Sequence, residues 1–129
     1  MGTTVDYDVE FDSLKTLLLD MAQERTLDTL LPLVVRRLAE RSHVALARIW
    51  LIKPGDICAS CPMRQECPDR TACLHLVASA GQSTADPSQD WSYVQGRFRR
   101  FPLGVRKVGR IARSCESIVV REIAEDRDW

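Results

Sequence analysis

The chain lacks a surplus of charge of either sign, since 18 lysines and arginines balance 18 aspartates and glutamates over 129 residues. This balance excludes the global basic bias that is typical of many nucleic-acid binders. Long apolar runs are lacking too. The longest one near the start, LLPLVV, is far shorter than a membrane-spanning helix. We therefore expect neither a membrane protein nor a strongly basic nucleic-acid-binding protein.

Sequence motifs of enzymes and of secreted proteins are also missing. There is no phosphate-cradling glycine loop, no nucleophile–base pair at a readable spacing and no paired acids in a credible setting. The acidic start, MGTTVDYDVEFDSL, has neither the positive leader nor the apolar segment of a secretory signal. We expect a cytoplasmic protein without enzymatic activity.

Cysteine is scarce except in one place. The chain has five cysteines, and four of them, Cys58, Cys61, Cys67 and Cys73, lie within sixteen residues in the segment DICASCPMRQECPDRTACLH. In a reducing compartment, clustered cysteines are more often metal ligands or redox groups than disulfides. A C-x2-C pair can aim two sulfurs at one point, and two further thiolates complete a tetrahedral site. The sequence therefore predicts one metal centre held by these four cysteines.

Zinc and an iron–sulfur cluster both suit four thiolates. We expect a four-iron four-sulfur cluster, with zinc as the alternative, because the loop is rich in Arg, Asp and Pro and proline follows two of the cysteines. Arg64 and Arg70 are expected to offset part of the thiolate charge. His75 could replace a ligand, but a packed strand histidine is the favoured interpretation. Cys115 is expected to be a packing or helix-terminating residue.

The periodicity of apolar residues predicts an α+β domain. Helical spacing indicates helices over 12–23, 27–41 and 105–115. Thr26 is the expected cap of the second helix, and Pro32 predicts a kink in it or a later start. Apolar runs rich in branched residues predict strands at 44–52, 73–80 and 117–123. We expect one domain, 1–129, with a largely antiparallel sheet flanked by helices and a cysteine loop at 53–73.

Three segments together resemble a GAF domain: the strand pair that ends in ASAG at 78–81, the helix at 107–114, and EDRDW at 125–129. The resemblance covers nearly the whole chain from the second helix onward. It is closest to the cysteine-bearing GAF domains at the N-termini of bacterial signalling proteins, such as enhancer-binding transcription activators and sensor kinases. The family continues with two more strands and a closing helix, so we expect this chain to stop before the end of the domain, with those C-terminal strands missing.

The resemblance implies a sensory module without catalytic machinery. Its expected partner is a second copy in a homodimer, or the output domain of a larger signalling protein. The leading hypothesis is therefore a sensory domain in which the four-cysteine centre clamps a hairpin and responds to redox state.

The alternative is a nucleic-acid-binding module that uses RFRRFPLGVRKVGR at 97–110. Aromatic rings among arginines can stack on bases while the cations hold phosphates. However, Val105, Val108 and Ile111 indicate an amphipathic helix in the second half of this stretch, and the charged face of such a helix needs no ligand. We therefore expect that nucleic acid is not the partner.

Overall fold

The computed structural model describes residues 7–126, and the side chains of residues 11–126. The acidic start and the end of the EDRDW motif lie partly outside this range. The elements, in chain order, are helices α1 (Tyr7–Gln23) and α2 (Leu27–Ala39), strands β1 (Leu46–Pro54), β2 (Ala72–Gly81) and β3 (Arg100–Pro102), helix α3 (Arg106–Ser114) and a 3-10 turn at Ile123–Glu125. The strands form an antiparallel sheet in the order β1-β2-β3. The predicted α+β class is confirmed.

The described chain falls into two compact units, and the boundary between them lies after Ile49 in β1 and after Val77 in β2. The first unit contains residues 7–49 and 78–93, and its buried side chains are Leu33, Val35, Ala78, Ser79 and Ser83. The second contains residues 50–77 and 94–126, and it buries Met63, Leu74, His75 and Leu76. Each unit therefore has a small core of its own.

The two N-terminal helices form where the periodicity predicts them. Helix α1 begins at Tyr7, earlier than expected, and contacts α2. The predicted cap of α2 is confirmed, since the Thr26 hydroxyl accepts a hydrogen bond of 3.3 Å from the Thr29 amide. Pro32 lies inside α2 and does not delay its start at Leu27. No helix in the described residues is long and apolar enough to cross a membrane.

Strand β2 is the middle strand, and it is buried on both faces at residues 74–76. Strand β3 pairs with it through Cys73↔Pro102, Leu74↔Phe101 and His75↔Arg100. Phe101 also meets Trp50 edge to face, with the ring centroids 6.3 Å apart. The register matters for the site, because directly opposed residues of a sheet share one face.

Helix α3 begins soon after β3 and contacts it. Gly109 permits this approach, because a Cβ there would overlap the carbonyl oxygen of Pro102. The helix ends at Cys115, which has a left-handed conformation (φ 59°) and donates its amide hydrogen bond to the Ile111 carbonyl. The predicted terminating role of Cys115 is confirmed.

The predicted strand at 117–123 is wrong. Residues 117–122 have no helix or strand, and a single 3-10 turn follows. Val119 in this segment is 81% exposed. Branched residues form a strand only when a sheet edge accepts them and buries one face, so their preference alone does not decide the structure.

Candidate metal centre

The cysteine loop is closed at its base and folded on itself. The Gly55 amide donates to the Thr71 carbonyl at 3.0 Å where β1 ends and β2 begins. Within the loop, the amides of Ser60, Arg64 and Glu66 donate to the carbonyls three residues earlier at 2.9–3.1 Å. Met63 is only 3% exposed. Backbone turns and one buried side chain therefore contribute to the order of the loop.

The four clustered cysteines line one cavity of about 20 Å³ in the second unit. Charged neighbours in its wall are Asp56, Arg64, Asp69, Arg70 and Arg100. All four cysteines are half-buried free thiols, whereas the free thiol of Cys115 is exposed at the end of α3. The residues predicted from spacing alone are thus brought to one place, and the fifth cysteine is not.

The thiols share this cavity without meeting at one point. The Cys58 thiol donates to the Arg70 carbonyl at 3.4 Å, and the Cys67 thiol donates to the Asp69 carbonyl at 3.0 Å. Within residues 11–126, no three Cys, His, Asp or Glu side chains are close enough together to hold a metal ion. Metal binding would require at least these two thiols to release their carbonyls and turn inward.

Gly55 provides the room for one of these thiols. A Cβ at this position would lie 2.7 Å from the Cys58 Sγ and 2.7 Å from the Arg70 carbonyl oxygen. Both distances are below ordinary van der Waals contact, so glycine is required for the close packing at the base of the loop. Sequence analysis missed Gly55, because its role depends on a carbonyl fifteen positions later in the chain.

A bidentate ion pair ties the loop to β3. The Arg100 Nε and Nη2 donate to the two Asp56 carboxylate oxygens at 2.8 and 2.9 Å. This guanidinium holds the pKa of the Asp56 carboxyl well below its usual range. The two residues are 44 positions apart in sequence. No local motif signals the pair, and the sequence analysis had assigned Arg100 to the basic stretch.

The cavity wall acts electrostatically on its thiols. Burial raises the pKa of the Cys73 thiol, the neighbouring Cys58 raises it further, and Arg100 opposes both effects. Arg64 and Arg70, the expected charge partners of the thiolates, make different contacts. The Arg64 guanidinium donates to the Ala59 carbonyl at 3.2 Å, whereas Arg70 contributes its carbonyl to the Cys58 thiol. Of these three arginines, Arg100 is thus the one that acts electrostatically on the Cys73 thiol.

His75 has the packed role that was favoured from the sequence. It is 7% exposed, and its Nε2 lies 3.0 Å from the Pro54 carbonyl oxygen. This hydrogen bond joins the end of β1 to β2 beside the loop. His75 does not line the cysteine cavity in the described structure.

The basic stretch 97–110 is largely engaged in contacts within the chain. Arg100 binds Asp56, Arg106 lies 3.3 Å from the Glu66 carboxylate, and Lys107 lies 2.5 Å from the Asp126 carboxylate. The Arg97 guanidinium stands 5.4 Å from the centroid of the Phe98 ring. Each of these carboxylates offsets a charge on which a nucleic-acid interface would depend.

No protein-family model, curated protein or solved structure matches this chain. The chain is therefore characterised by its α+β fold and by the cavity that its four clustered cysteines line. The GAF resemblance stays a prediction.

Proposed function

We propose that the chain is a regulatory module in which Cys58, Cys61, Cys67 and Cys73 hold one metal ion. The observation that supports this proposal is that all four line one cavity as free thiols. Three of them, Cys58, Cys61 and Cys67, lie in the loop between β1 and β2, whereas Cys73 belongs to β2. A chance distribution of thiols gives no reason for this convergence. Four thiolates around one cation are the ligand set of a structural zinc site.

The size of the cavity favours zinc over the iron–sulfur cluster expected from the sequence. The cavity between the thiols is small, about 20 Å³. Zinc binding would need the thiols to turn inward until their sulfurs lie at the Zn–S distance of about 2.3 Å. A four-iron four-sulfur cluster is larger than a single ion and would need more room between the four thiols.

The metal would act as a clamp on the end of the hairpin. Cys58 follows the end of β1 at Pro54. Cys73 lies at the start of β2, where β2 pairs with β3. An ion that joins their sulfurs closes the loop a second time, beside the Gly55–Thr71 hydrogen bond. The ion would stabilise a segment that also contains backbone turns of its own.

The regulatory part of the proposal rests on the GAF resemblance and on the chemistry of thiolates. Oxidation of two ligand thiolates to a disulfide, for example by a peroxide, removes two of the four ligands and releases the ion. The end of the hairpin would then lose its clamp. A module of this kind passes the change to a second copy or to an attached output domain.

Metal analysis of the intact chain tests the proposal. The protein is purified without oxygen, its zinc and iron are counted per chain, and its visible absorption is recorded. We expect one zinc per chain and no visible absorption from a cluster. Protein that holds neither metal, and whose four clustered thiols are all rapidly alkylated in the folded state, would refute the proposal.

Nucleic-acid binding is the less favoured alternative. The carboxylates of Asp56, Glu66 and Asp126 offset cations of the basic stretch. Binding to phosphates would have to replace these ion pairs, and it would weaken steeply with salt. We expect no salt-dependent mobility shift with a single-stranded oligonucleotide.

A further inference from the structure

The ion pair of Arg100 and Asp56 forms part of the wall of the cysteine cavity. We propose that Arg100 is a positioning residue for the metal centre. This inference rests on the metal centre proposed above. The Arg100 guanidinium donates N–H···S hydrogen bonds to the metal-bound sulfurs of Cys73 and Cys61, while Asp56 fixes the orientation of the guanidinium.

The strand register places Arg100 beside Cys73. Cys73 is opposite Pro102, and His75 is opposite Arg100, in the antiparallel pair of β2 and β3. Since side chains two positions apart in a strand share a face, Cys73 and Arg100 are diagonal neighbours on one face of the sheet. Long side chains reach across such a diagonal. Arg100 and the thiols of Cys73 and Cys61 line the same cavity.

The guanidinium has donors to spare for sulfur. Arginine carries five N–H bonds. Asp56 accepts one from Nε and one from Nη2, and the Arg99 carbonyl accepts one from Nη1 at 3.2 Å. These contacts leave one N–H on each terminal nitrogen. The Arg100 side chain is only 17% exposed, so the protein confines its orientation.

The chemistry of a four-thiolate site favours such a neighbour. One divalent cation with four thiolates has two net negative charges, and a fixed guanidinium offsets one of them. N–H···S bonds also hold each sulfur at a defined angle to the ion. Lysine cannot replace this arrangement, because its ammonium group is a point charge without the planar fork that Asp56 grips.

The test measures zinc affinity and the environment of the sulfurs in variants of the full chain. Metal-free protein is titrated with zinc in the presence of a competing chelator, and separately with Co²⁺, whose thiolate charge-transfer band reports on the sulfurs. We expect Arg100→Gln to weaken zinc binding by about tenfold or more and to shift the cobalt band. We expect Arg100→Lys and Asp56→Asn to show smaller but measurable losses.

Arg97→Gln is the matched control. Arg97 belongs to the same basic stretch, stacks on Phe98 and does not line the cavity. We expect its zinc affinity and cobalt band to equal those of the wild type.

Three results would overturn the inference in different ways. Wild-type affinity and an unshifted band in Arg100→Gln would limit Arg100 to a structural role, even if the metal-free variant melted earlier. If Arg100→Gln did not fold, wild-type affinity in both Arg100→Lys and Asp56→Asn would have the same meaning. A wild-type chain that took up neither zinc nor cobalt would overturn the metal centre itself, together with this role of Arg100.

Discussion

Gly55→Ala is the substitution whose effect the structure predicts most directly. Alanine adds only a Cβ, and here that atom would lie 2.7 Å from both the Cys58 Sγ and the Arg70 carbonyl oxygen. Gly55 is not among the described glycines with positive φ, which are Gly81 and Gly104. The cost of the substitution is therefore steric and does not include backbone strain.

The expected magnitude is the difference between two effects. Overpacking a closely packed site costs about 1–3 kcal/mol. Replacing glycine also restricts the unfolded chain, which stabilises the folded state by about 0.4–1 kcal/mol. We expect a net destabilisation of about 1–2 kcal/mol, or roughly 3–8 °C in the melting temperature for a chain of this size. Displacement of the Cys58 thiol should also lower the zinc content.

Thermal melts of Gly55→Ala and Gly96→Ala, followed by circular dichroism in the metal-free state, form the assay. At Gly96 an added Cβ meets nothing within 4 Å. The restriction of the unfolded chain acts alone there, and we expect an unchanged or slightly higher melting temperature. If Gly55→Ala melted at or above Gly96→Ala, the close packing at the base of the loop would not exist in solution.

Three further results are expected. Cys67→Ser should lose most of the bound metal while Cys115→Ser keeps it, and equal losses in metal analysis would show that the ligand set is wrong. Removing the metal with a chelator should lower hydrogen-exchange protection in 53–72 and at the adjoining strand ends; unchanged protection there would contradict the clamp. A homodimer that pairs through the exposed apolar residues of α1 should weaken in Leu18→Glu, because Leu18 is 64% exposed in helical spacing with Phe11 and Leu14; sedimentation measures this, and a mass independent of the substitution would argue against pairing through α1.

Much of the fold could be predicted because its signals are local. Helix α2 has a threonine cap and an apolar stripe, and both act within a few residues. Strands β1 and β2 are rich in branched and other apolar residues, which favours strands, although β2 is buried along much of its length and β1 has no fully buried residue. Strand β3 gave no such signal, since its three residues, Arg-Phe-Pro, form a strand only because β2 offers an edge. The strand predicted at 117–123 does not form for the converse reason, because no sheet edge accepts its branched residues.

The site, like the fold, has parts that local sequence signals predict and parts that depend on distant residues. The spacing of the cysteines predicted that they share one cavity, because a C-x2-C pair can aim two sulfurs at one point and two further cysteines follow in the same short stretch. The roles of Gly55 and Arg100 depend on partners that are distant in sequence, Arg70 and Asp56 respectively. Only the pairing of β3 with β2 brings Arg100 to the cavity. Charge alone made it look like part of a nucleic-acid-binding surface.

The burial of Met63 has a consequence for the chemistry of damage. Met63 lies between Cys61 and Cys67 in the sequence and is only 3% exposed, so dissolved peroxide has little access to it while the loop is closed. Oxidation would convert this apolar group into a polar sulfoxide that no longer fits its site. Methionine sulfoxide at position 63 would therefore form mainly in molecules whose loop had opened. Its amount, read by mass spectrometry, would be a cumulative chemical record of loop opening.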